Sequence, residues 1–448
     1  MTLAQLLFSL LLAGTPAIVA TRPIKHQNPT VNLGYARYQG FIDPSSNNTN
    51  FLGIRYAAAP TGLWLDEGDL RWRNPQTPSR VAGVQFADAE PPCAYKDPLA
   101  WRQQIPFHCL FLNVYVPGDF RKNIKPRPVV VWIHGGGYGI GSATGYTGSD
   151  IFNGNDLIKE SGGDVVAVVL QYRLGLFGFL AGSKVKANGV LNAGLLDQQF
   201  AFQWVQKHIG KFGGDPKQVT IWGESAGAGS VLMHMVANNG KTHPPLFRAA
   251  ITSSLYAPSQ YQYNDTVPTT GCSGKTDTLA CLRHKSVDIL VAANVNISAN
   301  DFYGTFSMVL WPSLSVREGK LNGLFPRLGP KEIADAAVQY AGLGTPSFQA
   351  AAIMGEAIII CPTYALLSNF KGPTYKVQPV RRAPYNNTVF DTAFSESFLN
   401  FAVSLNPNRK TWNRNTKVEM LFNNTDGLAG SPVIHPTTPS DALLSRCE

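Results

Sequence analysis

A Gly-x-Ser-x-Gly pentapeptide constrains the fold of this chain more than any other feature, because of its position. Gly223-Glu224-Ser225-Ala226-Gly227 follows directly on the apolar run 219–222 and precedes a helix-forming stretch over 228–237. When a buried strand turns straight into a helix, side chains two residues either side of the turn collide, so both flanks must lack a Cβ. The pattern therefore predicts a sharp, strained strand-to-helix turn with Ser225 at its apex.

Such a turn has a chemical use. It lifts the serine Oγ clear of the sheet edge and directs the first N–H groups of the helix at the same point. Ser225 is therefore a candidate nucleophile, and the N–H of Ala226 is a candidate donor to a developing oxyanion. The alternative is a purely structural turn that happens to contain a serine.

A second motif favours the chemical interpretation. His134-Gly135-Gly136-Gly137-Tyr138 follows the apolar run 128–133. Three glycines let backbone N–H groups approach a substrate without shielding. With Ala226, Gly136 and Gly137 would form an oxyanion hole worth about 3 kcal/mol per donor. A phosphate-binding loop is the alternative, but no G-K-[ST] or G-x-G-x-x-G pattern is present in the required context. His134 belongs to the glycine loop and is predicted to organise it.

The pattern of apolar runs predicts the fold class. The runs at 128–133, 165–170 and 219–222 are rich in β-branched residues, as in strands buried on both faces of a sheet. Residues 195–209 between the last two runs carry apolar side chains at helical spacing. This order predicts an α/β fold with a central, mostly parallel sheet and helices on both faces. Residues 28 to about 92 are typical of a β-meander, and the absence of repeats and linkers predicts one domain over 21–448.

Several features predict export. Residues 1–20 contain a short apolar run followed by small residues, as in a signal peptide, with a buried first helix as the alternative. Sequons for N-glycosylation occur at Asn47, Asn264, Asn296, Asn386 and Asn423. The six cysteines form an even set, predicted to pair as Cys93–Cys109, Cys272–Cys281 and Cys361–Cys447. We therefore expect a secreted, extracellular protein.

Composition narrows the choice of partners. The chain has 44% hydrophobic and 15% charged residues, as in a globular protein with a large core. The net charge of +9 would suit an anionic partner, but the basic residues are scattered, so we predict no nucleic-acid binding. No later segment is long and apolar enough to span a membrane. No cofactor or metal site is predicted, and the sequence carries no prediction of oligomeric state.

Both motifs resemble those of the type-B carboxylesterase/lipase family, which includes the cholinesterases. The other matching stretches are 53–57, 109–114, 172–179, 194–198 and 212–216. The resemblance implies the α/β-hydrolase fold, a disulfide-bounded lid loop, and hydrolysis of an ester or lipid substrate through an acyl-enzyme. Carried over by position, it implies Ser225 as nucleophile, Gly136, Gly137 and Ala226 as oxyanion hole, and Glu224 as an acidic neighbour that helps place the histidine.

The remaining members of the triad do not follow the family pattern. The family places its acid in a segment resembling N-x-x-E-G and its histidine in a later loop, and neither occurs in residues 319–326 or 370–387. His234 lies nine residues along the helix from Ser225, about 13 Å of rise. Only His435 comes late enough in the chain, and a surface histidine is the alternative there.

The lid also departs from the family. Pro106-Phe107-His108 stands where the family has Ser-Glu-Asp, which removes a carboxylate expected to pair with an arginine at the lid base. Two hypotheses therefore remain open. The chain is an esterase whose gene prediction lacks segments, or it is a binding or adhesion protein that keeps the hydrolase fold without catalysis.

Overall fold

A computed structural model gives the architecture of the chain. The structure describes residues 28–59, 71–89, 110–122, 125–145, 152–257, 270–300, 329–345, 348–349, 352–353, 355–369, 374–380, 388–407, 419–423, 433–437 and 439–447. The predicted signal peptide therefore lies outside the described residues. In the described part, no helix combines the length and apolarity needed to cross a bilayer.

A seven-stranded sheet with the order β10-β9-β7-β8-β6-β4-β3 forms the centre of the molecule. Two smaller sheets accompany it. In chain order, the described strands of all three sheets are β1 (Thr30–Asn32), β2 (Arg37–Gln39), β3 (Phe41–Ile42), β4 (Thr49–Arg55), β5 (Val84–Phe86), β6 (Phe111–Val116), β7 (Arg127–Ile133), β8 (Val166–Leu170), β9 (Gly214–Glu224), β10 (Ala249–Ser253), β11 (Lys376–Val380), β12 (Glu419–Asn423) and β13 (Val433–Thr437). The pairings β10–β9, β9–β7 and β7–β8 are parallel, and β8–β6, β6–β4 and β4–β3 are antiparallel. The sheet is thus mixed, and its parallel half is the half that carries both sequence motifs.

Helices cover both faces of this sheet, as predicted. The described α-helices are α1 (Gly154–Glu160), α2 (Gly175–Phe179), α3 (Ser183–Asn188), α4 (Ala193–His208), α5 (Ala226–Gly240), α6 (Thr278–Arg283), α7 (Val287–Asn300), α8 (Pro330–Tyr340), α9 (Cys361–Asn369), α10 (Thr388–Ser404) and α11 (Asp441–Cys447). Helices α4 and α5 pack on one face, and α1 and α10 pack on the other.

The alternation of side chains along β7 explains how one strand serves two cores. Val129, Val131 and Ile133 belong to the core beneath α4 and α5, whereas Val130 packs in the core beneath α10. All four are fully buried. Successive side chains of a strand point to opposite faces, so a strand covered on both faces needs an unbroken apolar run. This is the physical basis of the strand predictions at 128–133 and 165–170.

The N-terminal segment is more complex than a meander. Strands β1 and β2 pair in antiparallel fashion, but β2 pairs with β5 in parallel, which requires a long crossover instead of a hairpin. Strands β3 and β4 leave this small sheet and extend the antiparallel edge of the central one. The prediction of strands was right, and consecutive strands pair as in a meander at β1–β2 and β3–β4, but β2–β3 and β4–β5 do not pair.

Arg71 connects the N-terminal part of the chain to the region after the central sheet. It is buried, and its Nη1 donates to the carbonyl oxygens of Arg283 at 3.2 Å and Lys285 at 2.6 Å. These carbonyls belong to the end of helix α6 and the turn that follows. Carbonyl groups at a helix C-terminus lack partners within the helix and carry partial negative charge. The guanidinium therefore caps α6.

The described C-terminal residues form a third region. Strands β11, β12 and β13 make a separate sheet, with β11–β12 parallel and β12–β13 antiparallel. Helix α11 is fastened by the disulfide Cys361–Cys447, whose Cα atoms are 5.0 Å apart. The Arg446 guanidinium also donates to both carboxylate oxygens of Glu356, at 2.8 and 2.7 Å. Two cross-links of different chemistry thus hold the last described helix.

Candidate active site

Ser225 occupies the strained turn that the sequence predicts. Strand β9 ends at Glu224, helix α5 begins at Ala226, and Ser225 between them has φ 56° and ψ −119°. A non-glycine residue rarely adopts positive φ, and such strain concentrates at functional sites. Its backbone is fixed from the neighbouring strand, because the Ser225 N–H donates to the Ser253 carbonyl at 2.9 Å.

The flanking glycines are sterically required. A Cβ on Gly223 would lie within 3.0 Å of the backbone of Gly227, and a Cβ on Gly227 would lie equally close to the carbonyl oxygen of Ile133. The second contact is informative, because Ile133 is the last residue of β7. The first turn of helix α5 therefore rests directly on the strand that leads into the glycine loop.

The glycine loop places two amide groups at the same edge of the sheet. Gly136 and Gly137 have φ values of 105° and 60°. The N–H groups of Gly139 and Ile140 both donate to the Gly136 carbonyl at 3.0 Å, which closes the loop into a tight turn. The N–H groups of Gly136 and Gly137 have no acceptor among the described residues. Ala226, fully buried at the start of α5, contributes one of the N–H groups that a first helical turn leaves without an intrahelical partner.

His134 lies beneath the loop and organises it. The side chain is fully buried and stacks on Tyr172 with 4.5 Å between ring centroids. Its Nδ1 is 2.9 Å from the Gly135 carbonyl oxygen, and the Tyr172 hydroxyl donates to the His134 carbonyl at 2.8 Å. Burial lowers the pKa of His134 to about 4, so the ring is neutral at physiological pH. These contacts match the predicted role of His134 in organising the loop.

Glu224 lies at the end of β9, opposite Ser253 of β10. The residue is exposed and Ser225 is half-buried, so both side chains border open space at the carboxyl edge of the sheet. Partial desolvation of the carboxyl still raises the pKa of Glu224 above its ordinary value of 4.5. A carboxyl with this position can act on a cation or a polar group that approaches Ser225.

His234 and His284 each bond to a group other than Ser225. His234 Nε2 is 2.9 Å from Gln198 Oε1, and His284 Nδ1 is 2.7 Å from the Ala280 carbonyl. His435 lies in the middle of β13, in the C-terminal sheet, where it pairs with Leu421. Within the part of the chain that the structure describes, the Ser225 side chain has no hydrogen bond to a histidine.

The structure describes two of the three predicted disulfides, but neither the lid residues nor the segment expected to carry the triad acid. The disulfide Cys272–Cys281 is present, with its Cα atoms 5.8 Å apart, as is Cys361–Cys447. Cys93, Cys109 and the lid residues 106–108 lie outside the described residues, as does the segment 319–326, where the family places its triad acid. Among the described residues, no group of three or more His, Cys, Asp or Glu side chains is arranged to bind a metal ion.

One buried ion pair next to the site was missed by sequence reasoning. Arg173 donates to both carboxylate oxygens of Asp197 at 2.7 Å, and both side chains are almost entirely buried. The pair joins the chain after β8 to the first turns of α4. Both residues lie in stretches that were identified as matching the family, but no local signal indicates that they bind each other.

A mixed sheet with helices on both faces, a strained serine turn and an adjoining glycine loop together define an α/β-hydrolase. The crystal structure of Aspergillus niger EstA is similar, with a TM-score of 0.75 and 25% identity over 94% of this chain and 97% of that one. A secreted lipase of Arthroderma benhamiae is 38% identical over 222 residues, which are 46% of this chain and 43% of the relative. Lipase 2 of Diutina rugosa is 36% identical over 283 residues, 55% of this chain and 49% of the relative.

The model of the carboxylesterase family matches residues 27–328, more than half of the chain. The chain therefore belongs to the carboxylesterase family. It spans about half the length of the curated relatives it matches. The family match covers the Ser225 turn, the glycine loop and the Arg173–Asp197 pair, and it ends before the C-terminal sheet.

Proposed function

We propose that this chain is a carboxylic ester hydrolase in which Ser225 forms an acyl-enzyme. One observation carries the proposal: the strained Ser225 turn packs against the glycine loop through the contact between Gly227 and Ile133. That contact brings the first N–H groups of α5 and those of Gly136 and Gly137 to the same edge of the sheet as the serine hydroxyl. Membership of the carboxylesterase family supports the same chemistry.

The reaction follows from these groups. The Ser225 Oγ attacks the ester carbonyl carbon and loses its proton to a base, while the carbonyl oxygen becomes an oxyanion. The N–H groups of Gly136, Gly137 and Ala226 stabilise that oxyanion because they are already oriented and partly withdrawn from water. Collapse of the intermediate expels the alcohol, and water then releases the acid from the acylated serine.

The base determines the rate. A serine without a hydrogen-bonded histidine keeps its proton at neutral pH and is a poor nucleophile. With the oxyanion hole alone, catalysis amounts to roughly 10³–10⁴-fold over water. We therefore expect this 448-residue chain to turn over slowly, and to do so at Ser225.

We propose an ester or lipid as the substrate and the extracellular space as the site of action. The similar secreted lipase supports export, together with the disulfides and the predicted signal peptide at 1–20, which would leave a single proposed domain over 21–448. Asn47 is exposed on the turn before β4, where a glycan would meet only solvent. The disulfides at Cys272–Cys281 and Cys361–Cys447 suit an oxidising compartment.

Hydrolysis of p-nitrophenyl butyrate by the purified chain tests the proposal. The wild type should exceed the uncatalysed rate, Ser225→Ala should return to it, and Ser161→Ala, at the end of α1, should match the wild type. Equal rates for wild type and Ser225→Ala would refute the proposal and favour a non-catalytic binding protein. Rapid, stoichiometric labelling of Ser225 by a fluorophosphonate would show that the chain supplies its own base, and His435→Gln would then identify or exclude His435.

A further inference from the structure

Two neighbouring N–H groups at the start of helix α2 bond to different parts of the molecule. The Gly175 N–H donates at 2.7 Å to the carbonyl oxygen of Tyr138, the residue that ends the glycine loop. The Leu176 N–H donates at 2.7 Å to the side-chain oxygen of Asn294, on helix α7. The first N–H groups of a helix have no partner within it, so both are satisfied from outside. Helix α2 therefore connects the glycine loop to α7.

The bond from Leu176 to Asn294 lies in the interior of the protein. Asn294 is 3% exposed, and Leu176 is fully buried. Leu290, one turn earlier on α7, belongs to the same apolar core as Leu176, so the face of α7 that carries Asn294 packs on α2. Loss of the Asn294 oxygen would therefore leave a buried donor without its acceptor.

Asn294 also contacts the residue that makes the other bond. A Cβ on Gly175 would collide with the Asn294 side-chain oxygen, so the amide group lies directly against the Gly175 backbone. Gly175 has φ 55°, and glycine has little preference of its own for one conformation. By holding the Leu176 N–H, Asn294 fixes the peptide on one side of Gly175. It thereby limits rotation of the peptide on the other side, which carries the Gly175 N–H.

Tyr138 needs this support because its backbone is strained. It has φ 63°, which a tyrosine adopts only where its surroundings enforce it. Helix α2 holds Tyr138 through the Gly175 N–H and through Phe179, with 4.8 Å between the centroids of the two rings. Tyr138 directly follows Gly137, so the position of α2 affects where the N–H groups of Gly136 and Gly137 point.

We propose that Asn294 is a positioning residue, whose side-chain oxygen holds the first turn of α2 and thereby keeps the glycine loop in register with Ser225. It acts through α2 and not by contact with the reacting atoms. The order of the loop is a property of the fold, whereas its effect on hydrolysis rests on the proposed function. The role requires an oxygen acceptor at this position, which aspartate supplies and leucine, of similar size, does not.

Hydrogen exchange of the peptides spanning 134–141 and 172–180, followed by mass spectrometry, tests the ordering directly. Asn294→Leu should speed exchange about tenfold in both peptides, the effect of one buried donor left unpaired, and Asn294→Asp should stay within about twofold of the wild type. If Asn294→Leu does not fold, Asn294→Ala, which adds no bulk, replaces it with the same expectation. Faster exchange in 172–180 alone would overturn the proposal, as would equal effects of the leucine and aspartate variants.

Asn113→Leu is the matched control. Asn113 is also buried, and its side-chain oxygen also accepts from a backbone N–H, that of Gly53, at 2.8 Å. It lies on β6, which β8 separates from β7, the strand that leads into the glycine loop. The control variant should leave exchange in 134–141 unchanged. Equal acceleration there would indicate a general loosening of the fold and would refute a specific role of Asn294.

Kinetics with p-nitrophenyl butyrate separate this inference from the proposed function. Where hydrolysis depends on Ser225, Asn294→Leu should lower kcat about fivefold with KM unchanged, because the oxyanion forms only after substrate is bound, and Asn294→Asp should retain the wild-type kcat. Faster loop exchange with an unchanged kcat would refute the role in catalysis. Hydrolysis independent of Ser225 would refute the proposed function, and the exchange data alone would then decide whether Asn294 orders the loop.

Discussion

Replacing Gly227 by alanine should damage both stability and activity, and the structure supplies the magnitude. The new Cβ would lie within 3.0 Å of the Ile133 carbonyl oxygen and 3.0 Å from that of His134. Both are backbone atoms at the end of a central strand, so neither can move aside cheaply. Overpacking of this kind costs about 3 kcal/mol, and the better helix propensity of alanine returns about 1 kcal/mol. The expected net loss in the free energy of unfolding is about 2 kcal/mol.

Urea unfolding measures the loss, and Gly210→Ala is the matched control. Gly210 lies in the 3-10 helix Ile209–Phe212, and nothing lies within 4 Å of where its Cβ would be. That variant should be as stable as the wild type, or more stable by up to about 1 kcal/mol. Hydrolysis that depends on Ser225 should fall roughly 100-fold in Gly227→Ala, because the helix and the glycine loop are pushed apart. A wild-type urea midpoint and wild-type hydrolysis in Gly227→Ala would refute the steric argument.

Three further predictions concern stability. Burial lowers the pKa of His234 from 6.5 to about 3, so the unfolded chain binds the extra proton and stability falls as pH drops from 6.5 toward 3. Across this window, the urea midpoint of His234→Gln should depend less steeply on pH than that of the wild type. Asp197→Ala leaves the Arg173 charge buried and unpaired, and should cost about 3–5 kcal/mol in urea unfolding, whereas an unchanged midpoint would mean that the charge reaches water. Cys361→Ser with Cys447→Ser should cost about 2–4 kcal/mol, and limited proteolysis should then cleave near α11 before the central sheet opens.

The sequence predicts local structure best where a residue pattern is compatible with only one conformation. The run 128–133 needs cover on both faces, and β7 has it. The glycines at 223 and 227 imply a turn too tight for side chains, and Ser225 at φ 56° lies in it. In both cases the physical cause is local in sequence, so the pattern alone is sufficient.

Pairings between distant residues could not be predicted in this way. The alternation in residues 28–92 indicates strands, but an alternating strand pairs equally well in either direction, so the parallel β2–β5 contact had no signal. The ion pair between Arg173 and Asp197 depends on how the segment after β8 and helix α4 meet. Each residue is ordinary in its own segment, and only the assembled fold gives it a role.

The cap formed by Arg71 on helix α6 has a consequence for how this protein tolerates acid. The usual partner of a buried arginine is a carboxylate, and protonation of that carboxylate breaks the contact at low pH. Here the acceptors are the carbonyl oxygens of Arg283 and Lys285, which have no proton to gain in the physiological range. The junction between the N-terminal segment and the loop closed by Cys272–Cys281 is therefore insensitive to acidification. A protein that meets acidic surroundings would lose its titratable ion pairs before this junction opened.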